Sequence, residues 1–142
     1  MKKRIPYSVS DYKKIINGEF YYVDKTRYIE ELENWEVPLF LRPKRFGKSL
    51  WCSTLAYYYD IHYRDDFERL FGNTYIGQHP TRSRNTYAVM SLSFASIDTS
   101  GSVEDIRRSF NRQCHGAFED LSAVIAVVRI CLCARMTMPL TP

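Results

Sequence analysis

Residues 38–53 read PLFLRPKRFGKSLWCS, and this stretch organises the interpretation of the chain. An apolar run precedes a basic loop, and Gly47-Lys48-Ser49 then opens a segment compatible with a helix. In a Walker A loop, backbone N–H groups and a helix N-terminus face an anion, the lysine reaches the β- and γ-phosphates, and the next hydroxyl ligates Mg²⁺. The stretch therefore predicts a phosphate site with Lys48 on phosphate and Ser49 on a nucleotide-bound magnesium ion.

The loop departs from the Walker A pattern at its first position. Counted back from Gly47, the pattern G-x-x-x-x-G-K-[ST] requires a glycine where Arg42 stands. Arginine adopts a positive φ less readily than glycine, and Pro43 fixes its own φ at about −65°, so the entry to the loop is expected to differ. Lys44 and Arg45 add positive charge to the site. The Gly-Lys-Ser tripeptide by itself is a weak signal, and a chance strand-turn-helix is the alternative.

The flanking segments favour an α/β fold. Val37 and Leu39–Leu41 form an apolar run typical of a buried parallel strand, and apolar residues recur at helical spacing after the loop. We predict a partial P-loop NTPase-like parallel sheet with flanking helices, in which Leu39–Leu41 and Met90–Phe94 are strands of one sheet and Gly47–Tyr59 is the helix at the phosphate site. A small α+β domain is the alternative fold.

Caps and apolar spacing predict the other elements. They are a helix over 11–16 capped by Ser10, a strand over 20–23, a helix over 26–34, an amphipathic segment over 62–71, a strand over 87–94 and a helix after Ser102. Asp24 or Thr26 is expected to cap the helix over 26–34.

Composition limits the classes of function. The chain has 142 residues, 45% hydrophobic and 25% charged, which suits one globular domain, and its charge of +4 is compatible with nucleotide or nucleic acid. The four cysteines lack metal-ligand spacing with one another or with the histidines, which argues against zinc and favours reduced thiols. The apolar stretch 121–134 is interrupted by Arg129 and is shorter than the roughly 20 residues of a membrane span. A cytoplasmic protein with no membrane association is expected.

The chain resembles the bacterial AAA-ATPase-like family, whose members usually also carry a C-terminal PD-(D/E)XK nuclease-like domain. The resemblance rests on Ile5-Pro6-Tyr7 with Asp11, on Tyr22–Thr26, on Leu41–Leu50 and on Asp98–Gly101, and it extends from residue 5 to about residue 120. The form Arg-Pro-basic-Arg-Phe-Gly-Lys-Ser is itself typical of that family, so Arg42 looks like a family variant.

The resemblance implies ATP and Mg²⁺ as cofactors. The residues that it places at the nucleotide are Arg42, Pro43, Lys44, Arg45, Phe46, Gly47, Lys48, Ser49 and Leu50, with Asp24, Lys25 and Thr26 as additional candidates.

The family places its acidic Walker B strand beyond the last residue of this chain, and no acidic residue follows Asp120. Residues 1–121 are therefore predicted to be the N-terminal part of an AAA-ATPase-like domain, with a sheet incomplete at its C-terminal end. Residues 122–142 are predicted to be an unrelated or frame-shifted tail, in which 124–132 forms a strand or a helix. No catalytic residue is assigned, Asp98 is interpreted as a turn residue, and efficient ATP hydrolysis by this truncated chain is not expected.

Two other functions stay open. Lys44, Arg45 and Lys48 are suited to nucleic-acid phosphates, and a nucleic-acid partner also fits the full-length family context. A non-functional truncated remnant is the other alternative. The sequence does not decide the oligomeric state.

Overall fold

The computed structural model of the protein describes residues 3–92, 97–122 and 129–132. The chain divides into two compact units, residues 1–86 and residues 87–142. The described part is mainly helical. The predicted domain boundary after residue 121 stays a prediction.

The first unit is built around a 12-residue helix, α3, which follows the basic loop. Its elements are α1 (Tyr12–Asn17), α2 (Tyr28–Leu32), α3 (Lys48–Tyr59), a 3₁₀ turn (Ile61–Tyr63), α4 (Phe67–Phe71) and α5 (Tyr75–Gln78). The predicted helix after the loop is thus confirmed. The predicted helix over 26–34 is present but shorter, and the amphipathic segment 62–71 is divided between the 3₁₀ turn and α4.

Aromatic side chains fill the core of the first unit. Tyr12, Tyr58 and Phe71 are fully buried, and the rings of Tyr12 and Phe71 stack with centroids 4.9 Å apart. The Tyr12 hydroxyl donates a hydrogen bond of 2.8 Å to the carbonyl oxygen of Leu70, so the polar end of the buried ring is satisfied. Burial raises the pKa of Tyr12, and the phenol therefore stays neutral near pH 7.

Helix α1 is capped by Asp11, one residue after the predicted cap. The Asp11 Oδ1 atom accepts a hydrogen bond of 2.8 Å from the backbone N–H of Lys14, which is an N-cap interaction. The other carboxylate oxygen accepts a hydrogen bond of 3.1 Å from the Tyr57 hydroxyl on α3. The backbone N–H of Tyr12 donates 3.0 Å to Ser53 Oγ, also on α3. Asp11 therefore starts α1 and holds it against α3.

The predicted strand Leu39–Leu41 is wrong, because this segment forms no strand. Val37, Leu39 and Leu41 are 63%, 81% and 74% exposed, so no neighbouring strand or helix of the described chain covers them. An apolar run becomes a strand only when a partner satisfies its backbone N–H and carbonyl groups. Residues 20–23, also predicted to be a strand, form no strand either.

The second unit contains β1 (Tyr87–Met90), α6 (Val103–Ser122) and β2 (Arg129–Leu132). The two strands pair in parallel, with Tyr87 opposite Arg129 and Met90 opposite Leu132. Strand β1 ends at Met90, earlier than predicted, and residues 93 and 94 of the predicted strand lie outside the described residues. Of the predicted strand or helix over 124–132, residues 129–132 form β2 and the rest lies outside the described residues.

Ser102 caps α6, as predicted. Its hydroxyl accepts a hydrogen bond of 3.3 Å from the backbone N–H of Asp105. In return, an Asp105 carboxylate oxygen accepts a hydrogen bond of 2.9 Å from the backbone N–H of Ser102. This reciprocal pair satisfies two N–H groups at the helix start.

The predicted P-loop NTPase-like parallel sheet is therefore wrong. The described strands are one pair of four-residue segments in the second unit, and the described part of the first unit has none. Two short strands cannot bury both faces of a parallel sheet, which is the arrangement on which the predicted fold depends.

Within the described ranges, none of the helices combines the length and the apolarity of a bilayer-spanning segment.

Candidate functional site

The basic loop leads the chain from the irregular segment 37–41 into α3 through two residues in the left-handed region. Arg45 has a φ of 66° and Gly47 a φ of 76°. A Cβ atom added to Gly47 would meet no other atom within 4 Å, so backbone conformation rather than crowding favours glycine there. The carbonyl of Gly47 accepts 2.8 Å from Trp51 N–H and starts the helix.

Lys48 closes the loop with its own side chain. The Nζ atom donates a hydrogen bond of 2.6 Å to the carbonyl oxygen of Arg42 and one of 2.9 Å to that of Pro43. The ammonium group therefore lies against the backbone of the loop. Because the contact at position 42 is made by a backbone carbonyl, it does not require the glycine that the Walker A pattern places there.

The loop carries four cationic side chains, on Arg42, Lys44, Arg45 and Lys48. The Arg42 guanidinium lies 5.6 Å from the centre of the Phe40 ring, in a cation–π contact. Lys44 and Arg45 are exposed, and within the described part of the chain neither forms a salt bridge. A cluster of like charges without counter-charges attracts anions.

Ser49 lies in the first turn of α3 and is exposed. That turn contains no acidic residue, so no carboxylate of the turn neutralises its free N–H groups or the positive end of the helix dipole. Mg²⁺ commonly binds through one or two protein groups together with phosphate oxygens and water. Across the described ranges no three His, Cys, Asp or Glu side chains are grouped to hold a metal. The exposed hydroxyl of Ser49 is one protein group of the kind that can join such a site.

A cavity of about 640 Å³ adjoins the loop within the first unit. The loop residues Arg42, Phe46 and Gly47 form part of its wall. Its aromatic lining consists of Tyr21, Tyr22, Tyr28, Trp35, Phe40, Phe46 and Trp51, and its polar lining includes Lys25, Glu31 and Thr54. This volume lies in the ordinary range for small-molecule sites. Sequence reasoning missed the cavity because apolar residues near the loop were interpreted as strand and core.

Tyr22 is a neutral phenol in the cavity wall. Burial raises the pKa of its hydroxyl to about 12, and a hydrogen bond with Thr54 acts in the opposite direction. At pH 7 the hydroxyl keeps its proton and remains able to donate and to accept hydrogen bonds.

Asp24 and Thr26 hold two distant parts of the first unit together. Asp24 Oδ2 accepts a hydrogen bond of 2.8 Å from the backbone N–H of Tyr75. Thr26 Oγ1 accepts a hydrogen bond of 3.1 Å from the backbone N–H of Ile76. Both N–H groups belong to the first turn of α5, so the two side chains add to the capping of α5, whose N-cap residue is Thr74. They do not cap the helix that follows them, since α2 has no side-chain cap.

Lys25 stands between these two anchoring residues and has a different environment. It is exposed and lines the cavity that Arg42 and Gly47 also line. Of the three additional candidates, only Lys25 is therefore brought to the loop cavity, while Asp24 and Thr26 are occupied by α5.

Asp98, in the second unit, is a turn residue. Its Oδ1 atom accepts 2.9 Å from the backbone N–H of Ser100 and 2.5 Å from the Ser100 hydroxyl. The hydrogen bonds from Ser100 lower the pKa of the Asp98 carboxyl. This geometry agrees with the interpretation of Asp98 from the sequence.

Comparison with known proteins adds one curated relative. The "Uncharacterized protein in vnfD 5'region" of Azotobacter chroococcum mcd 1 is 44% identical to this chain over 57 residues. The match covers 39% of this chain and 11% of that protein, so the chain spans about a tenth of the relative's length. No solved structure matches the chain.

The family model described as "Predicted AAA-ATPase" matches residues 6–133. The match includes the loop, α3, the Asp24–Thr26 segment and most of the second unit. Because it covers most of the sequence, the chain belongs to the predicted AAA-ATPase family.

Proposed function

We propose that the protein binds a nucleoside triphosphate with Mg²⁺, ATP in the first place, through the loop from Arg42 to Leu50. The observation that carries the proposal is the position of Lys48, whose ammonium group lies over the loop against two backbone carbonyls. Membership of the predicted AAA-ATPase family supports nucleotide binding at a general level.

Lys48 has three donor hydrogens and uses two of them on the carbonyls of Arg42 and Pro43. A phosphate oxygen can accept the third hydrogen while both carbonyl contacts are kept. The N–H groups at the start of α3 supply further donors for the same anion.

The metal ion supplies charge neutralisation at the phosphates when it is bound. Ser49 is the residue of this chain that would contribute a ligand to it, as an exposed hydroxyl in the first turn of α3. Lys44 and Arg45 remain available to outer phosphate oxygens.

The test is a calorimetric titration of ATP with and without Mg²⁺. Wild-type protein is expected to bind saturably in the presence of Mg²⁺, and Lys48→Ala to abolish binding. Lys14→Ala is the matched control, because Lys14 is an exposed lysine of α1 outside the loop. Saturable binding that is unchanged in Lys48→Ala would contradict the proposal.

A second candidate is the binding of a nucleic-acid backbone, favoured by the exposed charges of Lys44 and Arg45, which form no salt bridge with any described residue. Such binding depends on several cations together and weakens steeply with salt. Titration of single-stranded DNA at two salt concentrations distinguishes it. A steep salt dependence, shared among Lys44, Arg45 and Lys48, would favour nucleic acid over a nucleotide.

A further inference from the structure

We infer that the aromatic cavity beside the loop is the subsite for the base of the bound nucleotide. This inference rests on the proposed function, because the base reaches the cavity only from a triphosphate held on the loop. The inference adds recognition of the base, which a nucleotide carries and inorganic polyphosphate lacks.

The cavity and the loop are continuous. Arg42, Phe46 and Gly47 belong to the loop and also form part of the cavity wall. A ligand whose phosphates lie at the loop therefore borders the cavity. The volume of about 640 Å³ leaves room for a sugar and a base.

The lining has the chemistry of a base-stacking site. Trp35 is 71% exposed and Phe46 66% exposed, although both are large apolar side chains. Exposed aromatic groups that gather around one cavity commonly mark a binding site. A planar base is suited to such a lining because every base offers a π-face for stacking, whatever its hydrogen-bonding edge.

Polar side chains in the cavity lining can form hydrogen bonds or ionic contacts with the polar groups of the ligand. Glu31 supplies a carboxylate, which accepts a hydrogen bond from an exocyclic amino group of a base. Lys25 supplies a cation, and the anchoring of Asp24 and Thr26 on α5 fixes the backbone on both sides of it. A small number of placed polar groups in an apolar cavity is the usual arrangement of a small-molecule site.

The test compares ATP with inorganic tripolyphosphate, both with Mg²⁺, on wild-type protein, Trp35→Ala and Trp35→Phe. We expect Trp35→Ala to weaken ATP binding about tenfold, as expected for the loss of one stacking surface, and to leave tripolyphosphate binding within about twofold. Trp35→Phe should recover most of the ATP affinity. Tyr7→Ala is the matched control, because Tyr7 is an exposed aromatic residue outside the cavity lining.

Tryptophan fluorescence provides a second readout that is independent of affinity. The chain has two tryptophans, Trp35 and Trp51, and both line the cavity. ATP is expected to change their emission, whereas tripolyphosphate at saturation should leave it nearly unchanged.

The outcomes separate this inference from the proposed function. If ATP and tripolyphosphate bind equally well, or if Trp35→Ala weakens both to the same extent, the base subsite is overturned while phosphate binding at the loop stands. If neither ligand binds wild-type protein, both proposals fail.

Discussion

The Nζ atom of Lys48 lies 2.6 Å from the carbonyl oxygen of Arg42, six residues earlier in the chain. The lysine that follows the glycine of the motif is thus bonded to the residue that replaces the motif's first glycine. The contact uses the backbone at position 42, which explains how a loop that departs from the Walker A pattern keeps a closed form. Loss of this contact is therefore expected to destabilise the closed form of the loop.

Lys48→Ala is expected to open the loop. Its two hydrogen bonds to Arg42 and Pro43 are the side-chain contacts that join the two ends of the basic segment. Limited trypsin digestion followed by mass spectrometry should show faster cleavage after Lys44 and Arg45 in this variant. Lys14→Ala serves as control and should leave that rate unchanged. Equal cleavage rates in wild type and Lys48→Ala would show that these bonds do not restrain the loop.

Gly47→Ala is expected to lower the free energy of unfolding by about 1–2 kcal/mol, because a left-handed conformation is unfavourable for a residue with a Cβ atom. Gly116→Ala is the matched control, since an added Cβ meets no atom within 4 Å at either position. Gly116 lies within α6, where alanine is favoured over glycine, so that variant should gain up to about 1 kcal/mol. Urea denaturation measures both values. A change of the same sign in the two variants would contradict the prediction.

Thr26→Val is expected to destabilise the first unit by about 1–3 kcal/mol, because it leaves a buried N–H group without an acceptor. Thr26 is fully buried, and its hydroxyl oxygen accepts 3.1 Å from the backbone N–H of Ile76. Valine has nearly the same shape, so packing is preserved. Thr99→Val, at an exposed position, is the control and should change stability little. Thermal unfolding compares the two, and equal melting temperatures would show that this cap contributes nothing.

Asp66→Asn is expected to destabilise the protein at pH 7 and to have less effect in acid. Asp66 accepts 2.8 Å from Lys13 and 2.7 Å from Arg69, and these hydrogen bonds lower the pKa of its carboxyl. A carboxyl whose pKa is lower in the folded state stabilises the fold above its unfolded pKa, and this contribution is lost as the pH falls through the folded pKa.

The difference in melting temperature between wild type and Asp66→Asn should therefore narrow as the pH is lowered below about 4. Asp65→Asn is the adjacent control, at an exposed carboxylate that forms no salt bridge with any described residue. A difference that stays constant from pH 7 to pH 3 would contradict the assignment.

The sequence by itself determined the features that depend on neighbouring residues. A glycine, a lysine and apolar residues at helical spacing predicted the start of α3, and Ser102 predicted the start of α6. Such features are local, because caps and helical spacing act within a few residues. The family was likewise readable from the motifs, since the resemblance and the matched region nearly coincide.

The identity of the strands was decided only in the tertiary structure. The run Leu39–Leu41 has the composition of a buried strand, but a strand needs a partner for its backbone, and the described chain provides none there. Composition predicts which segments can form strands. The partners that satisfy them come from elsewhere in the chain, and local sequence does not specify them.

The candidate site was likewise determined in part by local sequence and in part by tertiary structure. The sequence singled out Lys48 and Ser49 as candidate site residues, because they follow a glycine at a helix start. It did not reveal that Asp24 and Thr26 cap a helix about 50 residues later, or that Lys25, Trp35 and Trp51 line one cavity. These relationships join residues far apart in the chain, and only packing of α5 and α3 against the intervening segments brings their atoms within reach.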